Sequence, residues 1–520
     1  MESLRTLAGA AGSLLVLLSV AHAADKPAWF PPSYRQALHA PLPAGFVLGA
    51  TPATIDQFEV FPDLLGLTGN VLANGPVRTT ENAFFAQLGT NGRSCLTCHQ
   101  PSQAMSVGKG YIRALYVTSK GRDPLFAPVD GANCPNQASG RVAHSLLLDR
   151  GLFRIFLPVP QDADFTIEVV SDPNGCNADP AYNSDVDPVT GQTRQIVSVY
   201  RRPLITSNLR FKTTTIANLP GGGTGPGGPG GPGGGVPTDL ETGRVLQIDP
   251  FTGQFESLHI MWDSREHTLQ SQASNAVMIH SQATTPPTDE QVAQMVAFQN
   301  SVSTAQESLG LVSLSRTAQG GARALGAREP TFSLGVPAPV FTEYDAWAGI
   351  ATPTTPSEEL KASVARGQDL FNNFDFTFVI GNKRGQRCSS CHGQIGAGSE
   401  SNAGAAQNTG IGGQSAAVSG PAPDPALPIF KITCAPTAPP ADDGAVVLTN
   451  DPALALITGR CRDVGASVVP TIRGLAARAP YFRDGSANTV RDIVEFYDKR
   501  FTIGFTEQQK QDLTNFLTAL

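Results

Sequence analysis

The chain carries the same pentapeptide pattern twice, as CLTCH at residues 95–99 and as CSSCH at residues 388–392. Two thiols three residues apart can each add to one vinyl group of a haem, and the histidine that follows then lies under the iron as its ligand. A redox dithiol would need a βαβ setting and a zinc site would need matched ligand pairs, and neither explains a histidine after both pairs. The sequence therefore predicts two covalently bound c-type haems, attached through Cys95, Cys98 and His99 and through Cys388, Cys391 and His392.

Four further cysteines lie outside these motifs, at positions 134, 176, 434 and 461. In an oxidising compartment they are expected to form disulfides. Four cysteines allow three connectivities, and the sequence leaves all three open. The simplest one joins neighbours along the chain, Cys134 to Cys176 and Cys434 to Cys461.

The first 23 residues combine Arg5, an apolar run over residues 7–20 and the sequence AHA before Ala24. This pattern predicts a signal peptide at residues 1–23 and a periplasmic or secreted protein. A membrane anchor is the alternative, but the run is shorter than the about 20 apolar residues that span a bilayer. No other segment is apolar enough to span a membrane, so we expect no membrane span after cleavage.

Length and composition bound the remaining possibilities. A chain of 520 residues is too long for one compact core and predicts two domains. Charged residues make up 16%, the net charge is -7 and no run of Lys or Arg occurs, so nucleic acid is not an expected partner. We expect an N-terminal arm at residues 24–79, a first haem domain at 80–335 with a glycine-rich insert at 221–235, and a second haem domain at 345–520.

Helical patterns accompany both motifs. An amphipathic helix is predicted before each, with Thr80 as N-cap of the first and with Gly367 on the apolar face of the second. Glycine inside a helix is unfavourable, which indicates that another element approaches closely at Gly367. Capping boxes at residues 288–291 and 506–509 predict two further helices, and an apolar stripe predicts a helix over residues 490–497.

Two longer stretches lie beside these helices: MWDSREHTLQSQA at residues 261–273 and VVPTIRGLAARAPYFRDGS at residues 468–486. Together with the two haem motifs, they resemble the bacterial dihaem cytochrome c peroxidase superfamily, which includes the dihaem enzyme that matures methylamine dehydrogenase. The resemblance implies a mainly α fold of two cytochrome-c-like haem domains with long loops and inserts, whose haems face each other. It also implies that Trp262 links the haems and that Asn208 contributes to a calcium site.

The chain departs from the family pattern around both irons. Gln282 stands where the family has a pocket glutamate, whereas Gln272 matches a family glutamine. His280 is the best substitute acid–base group, because imidazole titrates near neutrality; a distal iron ligand and an ordinary surface histidine are its alternatives. Ala466 replaces the family's methionine ligand of the second haem, and Arg483 stands where the family often has histidine. Candidate sixth ligands are His144, His259 and His267.

These features favour an exported dihaem oxidoreductase that reduces hydrogen peroxide with electrons from a small redox protein, either a cytochrome or a cupredoxin. In this hypothesis His99 holds the iron that meets peroxide, and His392 holds the iron that receives electrons. The first alternative is a dihaem electron carrier without catalysis. The second is a dihaem oxygenase or an enzyme that oxidises a partner protein. The residues assigned to catalysis are Trp262, His280, Gln282 and Gln272.

Overall fold

The structure is a computed structural model that describes residues 51–137, 140–212, 260–266, 268–330, 339–376, 378–380, 383–385, 387–399, 406–414, 422–440 and 444–520. Several sequence predictions lie outside these residues: the signal peptide at 1–23, the insert at 221–235, His259 and His267. Within the described part of the chain, no helix is long and apolar enough to cross a membrane. Residues 51–330 are called the first half below, and residues 339–520 the second half.

Strands and helices are numbered in chain order. The strands are β1 (Thr54–Ile55), β2 (Phe58–Pro62), β3 (Gly66–Leu72), β4 (Val77–Arg78), β5 (Phe153–Pro158), β6 (Phe165–Ser171), β7 (Ser184–Val186), β8 (Thr193–Arg201), β9 (Val302–Leu309), β10 (Val312–Ser313), β11 (Phe378–Ile380), β12 (Lys383–Gly385), β13 (Gly413–Gln414), β14 (Ile429–Cys434) and β15 (Val446–Thr449). The α-helices are α1 (Lys109–Ser119), α2 (Ser145–Arg150), α3 (Leu209–Lys212), α4 (Leu269–Ile279), α5 (Asp289–Ser301), α6 (Ala322–Gly326), α7 (Pro356–Asn373), α8 (Ala455–Thr458), α9 (Val490–Phe501) and α10 (Glu507–Thr518).

Antiparallel sheets occur in both halves. One four-stranded sheet has the order β10-β9-β3-β2, and a three-stranded sheet has the order β5-β8-β7. A second four-stranded sheet has the order β13-β15-β14-β6. In this last sheet β6 belongs to the first half and the other three strands to the second, with Lys431 opposite Glu168. Backbone hydrogen bonds therefore join the two halves.

The expectation of a mainly α fold built from two cytochrome-c-like haem domains with long loops and inserts is wrong. Helix accounts for 33% and strand for 18% of the residues that the structure describes, and sheets occur in both halves. Alternating segments explain the difference. In IFKITC at residues 429–434, Phe430 and Ile432 are buried whereas the Lys431 side chain is 42% exposed, as in a strand with one covered face. The resemblance implied long loops and inserts in place of such strands.

The helix predicted before the second motif is confirmed as α7. A Cβ atom added to Gly367 would lie 2.1 Å from the carbonyl oxygen of Asp512 on α10, so the close approach expected at this glycine is present. The capping boxes at residues 288–291 and 506–509 are also confirmed, and they open α5 and α10. These signals are local, and the chain forms them as the sequence indicates.

The prediction of a helix before the first motif is wrong. Two 3₁₀ turns, Thr79–Glu81 and Ala83–Phe85, take its place, and the predicted N-cap Thr80 lies inside the first of them. Phe84 is fully buried, and its ring centroid lies 4.6 Å from that of Phe298 on α5. Packing of the aromatic side chains against α5 therefore overrides the helical spacing.

Both expected disulfides are present. Cys134 bonds to Cys176 and Cys434 bonds to Cys461, and the Cα atoms of each pair are 5.5 Å apart. Disulfides of this kind persist in oxidising compartments, so the pairing is compatible with an exported protein.

Candidate functional site

The two C-x-x-C-H motifs adopt the same backbone conformation. Each begins with a 3₁₀ turn, Cys95–Thr97 in the first half and Cys388–Ser390 in the second. In both, the amide of the histidine donates to the carbonyl of the first cysteine at 3.1 Å. Side chains three residues apart lie on the same side of a 3₁₀ turn. The two thiols of each motif therefore face one way, as attachment to a single haem requires.

Each motif histidine is oriented by a carbonyl six residues further along the chain. His99 Nδ1 lies 3.0 Å from the Met105 oxygen, and His392 Nδ1 lies 2.6 Å from the Gly398 oxygen. A carbonyl can only accept, so Nδ1 carries the proton and Nε2 carries the lone pair that binds iron. Burial lowers the pKa of His99 to about 4, so this imidazole is neutral at physiological pH, as a metal ligand must be.

The motif cysteines do not take part in the two disulfides. Burial raises the pKa of Cys95, Cys98 and Cys388 to about 12. Cysteine pairs used for thiol–disulfide exchange have a lowered pKa, so the redox-dithiol alternative does not fit. Among the described residues, no group of three or more His, Cys, Asp or Glu side chains is arranged to hold a metal ion. Thiol positions and imidazole tautomer fit covalent haem attachment.

A backbone segment in each half secures the loop that orients the histidine. In the first half, the Met105 carbonyl also accepts from the amide of Thr206 at 3.0 Å. In the second half, the Ala397 carbonyl accepts from the amide of Ile472 at 3.2 Å and from Thr471 Oγ1 at 2.8 Å. Thr206 and Ile472 thus play corresponding parts in the two halves.

The loops around Trp262 and Arg483 share one design. Each loop is closed by an antiparallel bridge between residues six apart, and each leads into a helix that starts with a threonine capping box. The residues just before them, Met261 and Phe482, have φ values of 73° and 64°. Trp262 and Arg483 therefore occupy corresponding positions in two copies of one structural unit.

Trp262 lies where the two halves meet. Its indole Nε1 donates to the Arg202 carbonyl at 2.7 Å, and its own carbonyl accepts from the amide of Val468 at 3.0 Å. The corresponding bond at Arg483 runs from the amide of Arg202 to the Arg483 carbonyl and measures 2.8 Å. The indole is therefore fixed at the junction between the halves.

A buried ion-pair network lies directly beside Trp262. Arg201 donates to both carboxylate oxygens of Asp451, at 2.7 and 2.8 Å, and also pairs with Asp263. Arg265 pairs with Asp263 at 3.0 Å. Burial opposes ionisation of both carboxyls, but the charge of Arg201 holds the pKa of Asp263 and Asp451 below the usual value. The network fixes the residue that follows Trp262.

His280 lies at the C-terminal end of α4, beside the first motif. Its Nδ1 is 2.6 Å from one carboxylate oxygen of Asp130, and the other oxygen is 2.5 Å from Nη1 of Arg93. Burial opposes ionisation of Asp130, but Arg93 and His280 hold its pKa below the usual value. Arg93, which stands two residues before Cys95, also donates to the His280 carbonyl at 3.2 Å, so His280 lies beside the segment that leads into the first motif.

Sequence reasoning missed Asp130 and Arg93. Arg93 stands two residues before Cys95, is 2% exposed and donates to the His280 carbonyl at 3.2 Å. A charged residue so close to a haem motif was a visible signal. Asp130 is 150 residues from His280 in sequence, and nothing in its local sequence marks it.

The two glutamines assigned to the pocket lie in different places. Gln272 is half-buried in the first turn of α4, about 12 Å along the helix axis from His280. Gln282 is exposed, and its Oε1 accepts from Asn91 Nδ2 at 3.3 Å. Asn91 also donates to the His280 carbonyl at 2.8 Å. The structure therefore connects Gln282 to His280 and leaves Gln272 about two helical turns away.

Asn208 is buried just before α3. Its Oδ1 accepts from the amide of Thr304 at 3.0 Å, and its Nδ2 donates to the Thr304 carbonyl at 2.9 Å. Both polar atoms of the carboxamide thus bind the backbone of β9. This arrangement does not fit a calcium ligand.

His144 is the candidate sixth ligand that the described residues include. It is 6% exposed, its Nδ1 lies 2.8 Å from the Gly131 oxygen, and its ring centroid lies 5.4 Å from that of Phe126. This is the environment of a core histidine. Arg483 is 1% exposed, and its guanidinium donates to backbone carbonyls, including that of Gly465 at 3.2 Å, so it supports the surrounding loops.

No family model and no curated protein matches the chain. Among solved structures, a MauG-like protein associated with microbial copper homeostasis is similar, with 17% sequence identity and a TM-score of 0.27. The match covers 54% of this chain and 79% of that protein. This likeness is too distant to carry an argument about the fold or the function.

Proposed function

We propose that the protein is an exported, periplasmic or secreted, dihaem c-type oxidoreductase. It reduces hydrogen peroxide to water with electrons from a small redox protein, a cytochrome or a cupredoxin. The observation that carries the proposal is the shared geometry of the two motifs. Each presents two thiols on one side of a 3₁₀ turn and a histidine whose Nδ1 is held by a carbonyl six residues on.

Haem bound at the two motifs would supply the iron that takes up peroxide and a second iron that stores an electron. We assign the first role to the haem of His99, because Arg93, two residues before Cys95, binds both members of the Asp130–His280 pair. His392 would hold the second haem, which would supply the site for electron entry from the donor protein. The ring of Phe371 packs near this histidine, with centroids 6.3 Å apart.

His280 is the proposed proton carrier. Cleavage of the O–O bond requires a proton to leave one peroxide oxygen and reach the other. The ionised carboxylate of Asp130 accepts from Nδ1, so Nε2 is the atom that takes up and returns the proton. Arg93 stabilises the Asp130 carboxylate, and Arg93 and Asn91 both bind the His280 carbonyl and fix its position.

Trp262 is the proposed electronic link between the haems. Electron transfer slows steeply with distance, and an oxidisable indole at the junction divides one long step into two shorter ones. Its bonds to Arg202 and Val468 come from both halves, so the ring keeps its place relative to each.

The proposal is tested on the mature protein produced with c-type haem maturation. We expect two covalent haems per chain in a pyridine haemochrome assay, a high-spin iron in the resting state, and oxidation of reduced cytochrome c when peroxide is added. Two six-coordinate haems that are inert to peroxide would indicate an electron carrier instead. Oxidation of organic substrates by dioxygen alone would indicate an oxygenase. A chain without covalent haem would overturn the proposal altogether.

A further inference from the structure

Arg202 and Arg478 lie at the junction between the halves, and neither guanidinium has a carboxylate partner in the described part of the chain. Arg202 is 4% exposed and donates to the carbonyls of Gly151 at 3.3 Å and Arg478 at 2.7 Å. Arg478 is half-buried and donates to the carbonyls of Arg473 at 3.3 Å and Thr471 at 3.0 Å. All four acceptors are neutral, so they leave both charges unbalanced.

The positive charges here also repel one another. Burial, with a contribution from Arg478, lowers the pKa of Arg202 to about 9, and burial lowers the pKa of Arg478 to about 10. Burial and the charges of Arg113 and Arg202 lower the pKa of Lys109, and the carboxylates of Asp149 and Asp492 only partly oppose this. Guanidinium groups stay protonated at neutral pH, and buried charges in proteins are ordinarily paired. The partner that the buried charge of Arg202 lacks is therefore an anion.

The two guanidinium groups belong to segments that flank the loop behind His99. The carbonyl of Pro203, which follows Arg202, accepts from Ser106 Oγ at 3.1 Å. Ser106 in turn follows Met105, whose carbonyl orients His99. The carbonyl of Ala479, which follows Arg478, accepts from the amide of Lys109 at 3.0 Å. An anion held by both guanidinium groups consequently belongs to the first motif.

We infer that Arg202 and Arg478 bind the propionate groups of the haem attached at the first motif, an inference that rests on the proposed dihaem function. A haem carries two carboxylates, and a guanidinium binds a carboxylate through two parallel N–H···O bonds. The second motif offers a contrast. Arg473, which binds the loop behind His392, already pairs with Glu343.

This assignment gives Arg202 two connections at once. Its side chain binds the edge of the first haem, and its carbonyl accepts from Trp262 Nε1 at 2.7 Å. The haem edge and the proposed electronic link are thus joined through one residue. A cation beside the haem stabilises the reduced form, which carries one positive charge fewer than the oxidised form, so these arginines raise the reduction potential.

Spectroelectrochemical titration of the two-haem protein tests the assignment. In Arg202→Gln and in Arg478→Gln, we expect one of the two reduction waves to move to lower potential, with at least a tenfold shift in the ratio of oxidised to reduced haem, or about 59 mV. Arg202→Lys keeps the charge and should shift less. The matched control is Arg194→Gln, which removes the same charge about 26 Å away along the strand that leads to Arg202.

Each outcome decides between the two proposals. If both waves stay where they are in the control, the propionate assignment is wrong, while a count of two haems leaves the dihaem proposal standing. A wild-type chain without covalent haem removes both. If the glutamine variants do not accumulate, a crystal structure of the wild-type protein decides. A propionate oxygen within about 3.2 Å of either guanidinium supports the assignment, whereas a solution anion in that place, or none, overturns it.

Discussion

Asp130 is central to the proposed proton transfer because its carboxylate holds the ring of His280. In Asp130→Asn we expect kcat for peroxide reduction to fall about 10²- to 10⁴-fold, the usual contribution of a positioned acid–base group. His280→Ala should fall by a similar factor, since the two residues act as one unit. Steady-state kinetics with reduced cytochrome c measures both, and the haem count must stay at two.

The control for this prediction is Glu290→Gln, which removes an exposed carboxyl at the start of the neighbouring helix α5. It should leave kcat unchanged. Because Asp130→Asn also takes the charged partner from buried Arg93, circular dichroism must show that the variant is folded. A folded Asp130→Asn enzyme with the kcat of the wild type would exclude the pair from catalysis.

Trp262→Phe separates electron transfer from peroxide chemistry. Phenylalanine fills most of the space but cannot donate to the Arg202 carbonyl and is much harder to oxidise. We expect electron transfer between the haems to slow on the order of tenfold or more, measured by stopped-flow absorption after reduction of one haem. The matched control is Trp347→Phe, because Trp347, although more deeply buried than half-buried Trp262, also donates to a carbonyl, that of Thr317 at 2.9 Å. Equal rates in the two variants would remove Trp262 from the path.

At the level of elements, the contact between α7 and α10 depends on a glycine. In Gly367→Ala the added Cβ meets the Asp512 carbonyl, and we expect a loss of about 1 to 3 kcal/mol in the free energy of unfolding, typical of overpacking. Gly110→Ala is the control, because Gly110 is also helical but has no atom within 4 Å of the added Cβ. It should stabilise by about 0.5 to 1 kcal/mol. Urea denaturation measures both, and equal effects in the two variants would contradict the packing argument.

Whether the sequence predicted an element depended on how local its signals are. The capping boxes of α5 and α10 lie within four residues, and both helices were predicted. The strand β14 pairs with β6, and Lys431 is 263 positions from its partner Glu168, so the partner strand cannot be read from the sequence of β14. The site follows the same rule. The haem motifs are contiguous and were found, whereas the Asp130–His280 contact depends on tertiary structure.

Across the whole molecule, the two halves repeat one set of parts. His99 corresponds to His392 by its carbonyl bond, and Trp262 corresponds to Arg483 by its loop. At these corresponding loop positions the side chains differ. The first half has the oxidisable indole of Trp262, and the second half has the guanidinium of Arg483, which cannot be oxidised. An acid–base pair beside His99 adds to this asymmetry. A common backbone plan with different side chains is what the proposed function would require of two haems with different tasks.

Acid should weaken the molecule at the junction between the halves. Asp263 and Asp451 face Arg201, which outweighs the cost of burial and holds the pKa of both below the usual value. Because the unfolded pKa is about 3.9, their ionised forms stabilise the fold fully above that pH, and this contribution is lost as the pH falls through the folded pKa. We therefore expect the midpoint of urea denaturation to drop below about pH 4.

Asp263→Asn shows whether this network is the cause. At pH 7 the variant should lose about 3 kcal/mol in the free energy of unfolding, because Arg201 keeps only one of its two carboxylates. The difference from the wild type should shrink as the pH falls below about 4, because Asp263 is then protonated in the wild type as well. Asp185→Asn, which removes a surface partner of Arg194, should cost about 0 to 1 kcal/mol. A difference for Asp263→Asn that is as large at pH 3 as at pH 7 would assign its effect to packing rather than to charge.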